Sequence, residues 1–199
     1  MPRPRSFDAD EVLAGAVAMF RAHGYERTSV PELTERLGIC RQSLYATFGD
    51  KRGLYLQALA AWGRDEVDGK LALLAAEGSP LAHVRTLVRG FAALASTCPA
   101  AGCFTVTAMV ESRDDPEAVA VVAAQVARFE DGLHAALAEA RAGGELRPDA
   151  DPRRLARTIT TAMYGLGLVV RLPDSAGRIA DTVATLLALL DEAAAGRSG

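Results

Sequence analysis

The chain has 199 residues with 22 Lys and Arg against 25 Asp and Glu, and its net charge of −3 excludes a generally basic nucleic-acid coat protein. Half of the residues are hydrophobic and 6% are aromatic, which suits an all-helical protein of one or two domains. The charge is uneven, because residues 1–64 hold nine basic and seven acidic residues whereas the remainder holds 13 and 18. A mildly basic N-terminal part is what a local contact with DNA needs.

The cysteines and one uncharged stretch bear on the cellular compartment. Three cysteines, an odd number, without a segment that resembles a signal peptide argue against a disulfide framework and favour the reducing cytoplasm. Residues 90–110 carry no charge and are long enough to span a bilayer. Pro99 lies at their middle, however, and this predicts two buried helical pieces rather than a membrane span. We therefore expect a cytoplasmic protein that does not enter a membrane.

A first helix is predicted to start after Asp8, with Glu11 completing a capping box, and to end at Gly24. The six residues before it form a short polar arm. Arg3 and Arg5 in this arm could reach phosphates or a minor groove, although a disordered basic tail explains the same residues.

The stretch that follows, residues 29–51, carries the clearest local signals in the chain. Ser29 and Glu32 form a second predicted capping box, and Pro31 falls in the first turn, where its missing N–H is tolerated. Gly38 then ends the helix, because glycine takes a left-handed C-terminal conformation at little cost. We therefore predict a helix between Ser29 and Gly38.

A short second helix is predicted from Arg41 to Phe48, with Leu44 and Phe48 packing inward one turn apart. Its outward side chains are polar groups that can contact DNA, since Arg and Gln suit base edges while Ser and Tyr reach phosphates. Two helices around a glycine-containing turn are typical of a helix-turn-helix, although a helical hairpin with a solvated polar face fits the same spacing. The outward residues are Arg41, Gln42, Ser43 and Tyr45.

Cys40 is predicted to occupy the N-cap position of this second helix, where Ser, Thr, Asp or Asn is favoured. A thiol at a helix N-terminus beside Arg41 should ionise more readily than an ordinary thiol and be more reactive. A regulatory role for Cys40 is therefore one hypothesis, and tolerated packing is the other.

Gly49 and Asp50 predict a turn, and a long helix follows over residues 51–76. Lys51 lies in the first turn of this helix and is expected to face the DNA. A phosphate bound by Lys51 would also benefit from the partial positive charge of the helix N-terminus. The long helix is therefore the natural link between a DNA-binding head and the rest of the chain.

The remaining residues are predicted to be helical, interrupted by breaks that contain Gly or Pro. The last two helices are too apolar to be buried entirely within one small domain, which predicts a four-helix interface between two chains. The predicted helices cover residues 81–97, 102–111, 117–142, 154–172 and 176–195, with a linker flanked by Pro148 and Pro152. The residues assigned to the dimer interface are Leu155, Ile159, Leu166, Val170, Ile179, Val183, Leu187 and Leu190.

No motif in the sequence is typical of an enzyme. The three histidines, at positions 23, 83 and 134, lie far apart, and we expect no catalytic residue, metal site or cofactor. A small-molecule pocket is one interpretation of the bulky and polar side chains of the C-terminal part, and ordinary core packing is the other. The candidate pocket residues are Phe91, Cys103, Phe104, Met109, Phe129 and Tyr164.

Residues 7–62 resemble the DNA-binding domain of the tetracycline-repressor (TetR) family. The resemblance implies a homodimer that joins through its last two helices, binds a near-palindromic double-stranded DNA operator and responds to a small-molecule effector. The matching residues are Phe20, Gly24-Tyr25, Thr28-Ser29, Leu37-Gly38-Ile39, Ser43-Leu44-Tyr45, Phe48 and Lys51. The DNA-binding residues expected on this basis and on their chemistry are Thr28, Ser29, Arg41, Gln42, Ser43, Tyr45 and Lys51.

We therefore expect an all-α protein with a three-helix DNA-binding head over residues 1–52 and a helical ligand-binding and dimerisation domain over residues 53–199. The expected function is a transcriptional regulator, in the first place a repressor that a small molecule releases from its operator. One alternative is a thiol-based regulator that senses oxidants or electrophiles through Cys98 and Cys103, since the segment Gly102-Cys103-Phe104 is similar to a subset of the family. The other alternative is a helical ligand-binding module without DNA binding.

Overall fold

The computed structural model describes residues 7–93 and 103–196. Within these ranges the chain forms nine α-helices and a short 3₁₀ turn at Phe91–Ala93, and the only strand-like pairing is an isolated bridge between Leu146 and Ala194. The prediction of an all-helical protein is confirmed. The helices are α1 (Ala9–His23), α2 (Val30–Leu37), α3 (Arg41–Phe48), α4 (Lys51–Leu74), α5 (Pro80–Gly90), α6 (Phe104–Glu111), α7 (Pro116–Ala142), α8 (Pro152–Val169) and α9 (Ser175–Ala193).

Local capping explains where most of these helices begin. The carboxylate of Asp8 accepts the backbone N–H of Asp10 at 2.8 Å, one residue earlier than the predicted capping box requires. Asp151 accepts the N–H groups of Arg153 and Arg154, so α8 begins at Pro152, a residue that the sequence had placed beside a linker. Pro152 tolerates this first helical position because it has no N–H to satisfy.

Contacts between Cα atoms divide the described residues into two compact units. The first unit contains residues 7–64 and 103–123, and the second contains residues 65–93 and 124–196. Helices α4 and α7 each contribute residues to both units. The predicted functional boundary between residues 52 and 53 lies inside the first unit and stays a prediction.

The core of the first unit is built around the aromatic ring of Phe20, which is fully buried. The rings of Tyr55 and Phe20 pack edge-on with centroids 5.2 Å apart, and the ring of Phe104 packs against Tyr55 at 5.8 Å. Leu33 and Leu44 are also fully buried, so α2 and α3 are both anchored to this core. Burial of these side chains fixes the helix-turn-helix on α1, the first part of α4 and α6.

The second unit is held together by one cluster of apolar side chains from α5, α8, α9 and the parts of α4 and α7 that belong to this unit. Two backbone hydrogen bonds, both of 2.9 Å, join the end of α9 to the segment after α7. The Ala195 N–H donates to the Glu145 carbonyl, and the Arg147 N–H donates to the Ala193 carbonyl. Among the described residues no helix combines the length and apolar character needed to cross a membrane.

Candidate nucleic-acid interface

The backbone conformation of helix α2 and of the turn after it sets the position of helix α3. The hydroxyl of Ser29 accepts the N–H of Glu32 at 3.3 Å, which confirms the predicted N-cap. Gly38 has a φ of 64° and a ψ of 26°, the left-handed conformation that ends α2. Ile39 follows and is buried, so the chain enters α3 from a fixed point in the core.

Helix α3 separates an apolar face from a polar face as the sequence predicts. Leu44 and Phe48 are buried, whereas Arg41, Gln42 and Tyr45 are exposed. Arg41 Nε donates to the hydroxyl of Tyr45 at 2.9 Å, and its guanidinium lies 5.2 Å from the centre of the Tyr45 ring. This contact between residues one turn apart orients the arginine on the exposed side of the helix.

Cys40 occupies the N-cap position of α3, and its side chain makes no capping hydrogen bond. Its exposed thiol instead donates to the Ser43 hydroxyl, with Sγ and Oγ 3.2 Å apart. A hydrogen bond from Ser43 to the ionised sulfur lowers the pKa of the Cys40 thiol. The structure therefore agrees with the prediction that the Cys40 thiol ionises more readily than an ordinary thiol. A regulatory role for Cys40 stays a hypothesis.

Lys51 is the first residue of α4, and its ammonium lies 4.1 Å from the centre of the Tyr25 ring. The carboxylate of Asp50 accepts the N–H of Gly53 at 2.7 Å and so satisfies one of the free donors at this helix N-terminus. A cation held over an aromatic ring at a helix N-terminus is well placed to meet a phosphate. This role of Tyr25 has no signal in the sequence, because an aromatic residue that packs against a cation has the same local pattern as one that packs in the core.

Thr28 requires a correction. Its side chain is fully buried, and its hydroxyl donates to the carbonyl of Gly24 at 2.7 Å. A buried hydroxyl that is already engaged cannot bind a phosphate without leaving the core, so we remove Thr28 from the interface. The remaining candidates lie in the first unit, on the N-cap of α2, on α3 and at the start of α4: Ser29, Arg41, Gln42, Ser43, Tyr45 and Lys51.

The six candidate effector residues are divided between the two units. Cys103, Phe104 and Met109 belong to the first unit, where Phe104 is buried and Met109 is 37% exposed. Cys103 is a free, partly buried cysteine at the N-cap of α6, and Cys98 lies outside the described residues. In the second unit the three candidates are Phe91 and Phe129, which lie in the core, and Tyr164, which packs at its edge.

The described residues contain no group of three or more His, Cys, Asp or Glu side chains suited to a metal ion.

Most residues assigned to the dimer interface lie in the core of the single chain. Ile159, Leu166, Val170, Ile179, Val183 and Leu190 are all buried there, and Leu155 and Leu187 pack partly buried against the same cluster. The six buried side chains are occupied by packing within the chain and cannot offer a free surface. The exposed large apolar side chains of α8 and α9, with the turn between them, are Leu168, Leu172 and Leu189.

A short helix with exposed Arg and Gln, carried on a capped helix and a left-handed glycine turn, defines a helix-turn-helix DNA-binding protein. Comparisons with known proteins agree with this class. The family described as "Bacterial regulatory proteins, tetR family" matches residues 12–58, and "Tetracyclin repressor-like, C-terminal domain" matches residues 80–186. The chain belongs to the TetR family and is a DNA-binding transcriptional regulator rather than an enzyme.

Relatives that span the whole chain support the assignment. The chain is 32% identical to an uncharacterised HTH-type transcriptional regulator of Bacillus subtilis, YezE, over 96% of this chain and 100% of that protein. It is 30% identical to the HTH-type transcriptional repressor ComR of Escherichia coli, over 96% and 92% of the two chains.

Solved structures share the fold over nearly the whole chain. A TetR transcriptional regulator from Chloroflexus aurantiacus superposes with a TM-score of 0.82 at 24% identity, over 93% of this chain and 94% of that one. A cysteine mutant of the TetR family regulator CifR, solved with a 26-bp double-stranded operator DNA, superposes with a TM-score of 0.80 at 28% identity, over 94% and 98%.

Proposed function

We propose that this protein is a homodimeric cytoplasmic repressor that binds a near-palindromic operator and is released from it by a small-molecule effector. The observation that carries the proposal is the division of α3 into a buried face and an exposed face that bears Arg41 and Gln42. The repressor ComR and the operator complex of CifR support it, because both are proteins similar to this chain over nearly its whole length.

The exposed residues divide by chemistry into two groups. Arg41 and Gln42 have side chains that form two hydrogen bonds to one base edge, so we assign them to sequence recognition. Ser29, Tyr45 and Lys51 are assigned mainly to phosphates, which fix the orientation of the head on the duplex. Two heads of a dimer would then meet successive major grooves about 34 Å apart.

A selection from a pool of random duplexes tests the proposal directly. Full-length wild-type protein should enrich one sequence made of two inverted half-sites, because a two-fold dimer presents two identical heads. Enrichment of a single half-site would contradict the dimer, and enrichment of no sequence would contradict the regulator as a whole.

For the dimer surface we propose the exposed apolar side chains of the second unit in place of the buried ones predicted from the sequence. Leu168 and Leu172 are 55% and 54% exposed, and Leu189 is 38% exposed. Exposed large apolar side chains on the last two helices and the turn between them favour a protein partner, and a second copy of the chain supplies the matching face.

Lys51→Ala is expected to weaken binding to all duplexes by a similar factor and to reduce the slope of log affinity against log salt by about one unit. The reason is that a single phosphate contact, and the counterion released with it, is lost. Affinity measured at several salt concentrations checks this result. Arg64→Ala is the matched control, since it removes one exposed charge about 20 Å further along α4. Equal slopes for wild type and Lys51→Ala would remove Lys51 from the phosphate group.

A buried hydroxyl in the second unit supports the binding of an effector there. Thr160 is 2% exposed, and its hydroxyl has no hydrogen-bond partner among residues 7–93 and 103–196. A buried hydroxyl without a partner is costly, and a bound ligand with one hydrogen-bonding group would satisfy it. Met163 and Tyr164 lie one turn further along α8, so we propose that the effector is a largely apolar molecule with a polar group near Thr160.

Thr160→Val is expected to raise the free energy of unfolding by about 1 kcal/mol, because an unpaired buried hydroxyl is replaced by a methyl group of similar size. Thr158→Val is the control, since the Thr158 hydroxyl is exposed and donates to the Arg154 carbonyl at 2.9 Å. Urea unfolding of both variants measures the difference. A loss of stability in Thr160→Val would show that its hydroxyl is paired in solution.

A further inference from the structure

The connection between α6 and α7 holds the first unit at three separate points. We call residues 111–117, ESRDDPE, the acidic connector. Glu111 accepts the backbone N–H of Tyr25 at 3.0 Å, and the hydroxyls of Ser112 and Tyr55 are hydrogen-bonded at 2.9 Å. Asp115 binds Arg52 with both carboxylate oxygens, each contact measuring 2.8 Å. All of these partners belong to the first unit.

Asp115 joins the N-termini of two helices. Its Oδ1 accepts the N–H groups of Glu117 and Ala118, at 3.0 and 3.3 Å, and so caps α7. The same carboxylate forms an ion pair with Arg52, the second residue of α4. Glu117 forms a further ion pair with the Arg52 guanidinium. The hydrogen bonds from Arg52 lower the pKa of Asp115 to about 2, so the carboxylate stays ionised near neutral pH.

The ion pair of Arg52 and Asp115 is partly exposed, so it orients the two side chains more than it stabilises the fold. The side chains of Arg52 and Asp115 are 42% and 24% exposed, and ion pairs with this access to water contribute little to folding. Two parallel N–H···O bonds nevertheless fix the direction of a guanidinium. The start of α4 is thereby held in one orientation relative to the acidic connector.

Glu111 contacts Tyr25, the residue whose ring lies beneath the Lys51 ammonium. Gly24 has a φ of 79°, and a Cβ at this position would lie 2.5 Å from the carboxylate oxygens of Glu111. Only a residue without a side chain lets Glu111 reach the N–H of Tyr25, whose ring carries the Lys51 ammonium. The acidic connector thus contacts two residues next to Lys51: Tyr25, which packs against its ammonium, and Arg52, which follows it in the sequence.

We infer that the acidic connector positions Lys51 for phosphate binding, and that Asp115 is a positioning residue that acts through Arg52. The inference rests on the proposed role of Lys51 at the operator. Arg52 itself, which follows Lys51 in the sequence, forms ion pairs with Asp115 and Glu117. The connector thus sets operator affinity without touching the DNA.

Asp115→Asn tests the inference, because an amide keeps the oxygen that caps α7 and loses the charge that orients Arg52. Asp114→Asn is the matched control: it makes the same charge change one residue away, where the carboxylate pairs with its exposed neighbour Arg113. The probe is the duplex selected by the wild-type protein from random DNA. We expect Asp115→Asn to bind it about tenfold more weakly than Asp114→Asn does.

The loss should depend on Lys51, and this separates positioning from a general weakening of the fold. In a Lys51→Ala background, Asp115→Asn is expected to change affinity less than about twofold, because the group that it positions is already absent. If Asp115→Asn folds poorly, Glu117→Gln replaces it in the test. This variant removes a carboxylate from Arg52 without altering the Asp115 cap, and we expect it to weaken binding to the same duplex.

Equal affinities for Asp115→Asn and Asp114→Asn would overturn the inference. So would an equal loss in the wild-type and Lys51→Ala backgrounds, because Asp115 would then act independently of Lys51. Enrichment of no duplex by the wild-type protein is a different failure, since it overturns the proposed function and this inference with it.

Discussion

Replacing Phe20 with alanine is expected to destabilise the first unit by about 3–5 kcal/mol, since a buried aromatic ring is lost and a cavity remains. Phe20 is 0% exposed and packs against both Tyr55 and Tyr25, with ring centroids 5.2 and 6.4 Å away. Tyr25 carries Lys51, so the same variant should also lose operator binding. Urea unfolding followed by circular dichroism, together with DNA titration, measures both effects.

Tyr45→Ala separates the two effects, because Tyr45 is an exposed aromatic residue of the same unit. It should leave stability within about 0.5 kcal/mol of wild type while still weakening DNA binding. If Phe20→Ala instead unfolds at the wild-type urea concentration, Phe20 is not the centre of the core that supports the helix-turn-helix.

Gln42→Ala is expected to cost about 1–3 kcal/mol of affinity for the selected duplex and almost nothing for an unselected duplex of equal length. The reason is that a base contact is lost while the phosphate contacts stay. A repeated selection with the variant should lose its preference at one position in each half-site. Gln57→Ala, the same change at an exposed position of α4, should leave every preference intact.

A uniform loss of affinity across both duplexes would give the opposite answer for Gln42. It would place the Gln42 side chain on a phosphate and leave Arg41 as the base-reading residue of α3. The experiment therefore decides between two roles that exposure alone does not distinguish.

The helix-turn-helix was predictable from the sequence because its boundaries depend on local signals. Ser29 caps α2, Gly38 takes the left-handed conformation, and α3 runs from Arg41 to Phe48 as predicted. These choices involve residues within a few positions of one another. Thr28 was misjudged because its burial depends on packing by the whole first unit, which no local pattern reports.

The apolar helices α8 and α9 show a second limit of sequence patterns. Helical periodicity selects the strongest apolar stripe, and a single chain buries that stripe in its own core first. Ile159 and Ile179 follow this rule, whereas Leu168 falls outside the stripe and stays exposed. Whether an apolar side chain faces its own core or another molecule is decided by tertiary packing.

The ion pair of Arg52 and Asp115 had no sequence signal, because 63 positions separate the two residues. A helix was predicted from residue 117, and the structure begins it at Pro116 with Asp115 as its cap. The second partner of Asp115 became evident only when the fold brought α4 and α7 together within the first unit.

The discontinuous first unit has a consequence for engineered biosensors, in which the DNA-reading part of one regulator is fused to the sensing part of another. A fusion junction at residue 52 would carry Phe20 into the hybrid but leave Tyr55, Phe104 and Asp115 behind. A graft that transfers residues 7–64 together with residues 103–123 keeps the aromatic core and the Arg52 contact intact. A chimera made from this regulator should therefore contain both segments.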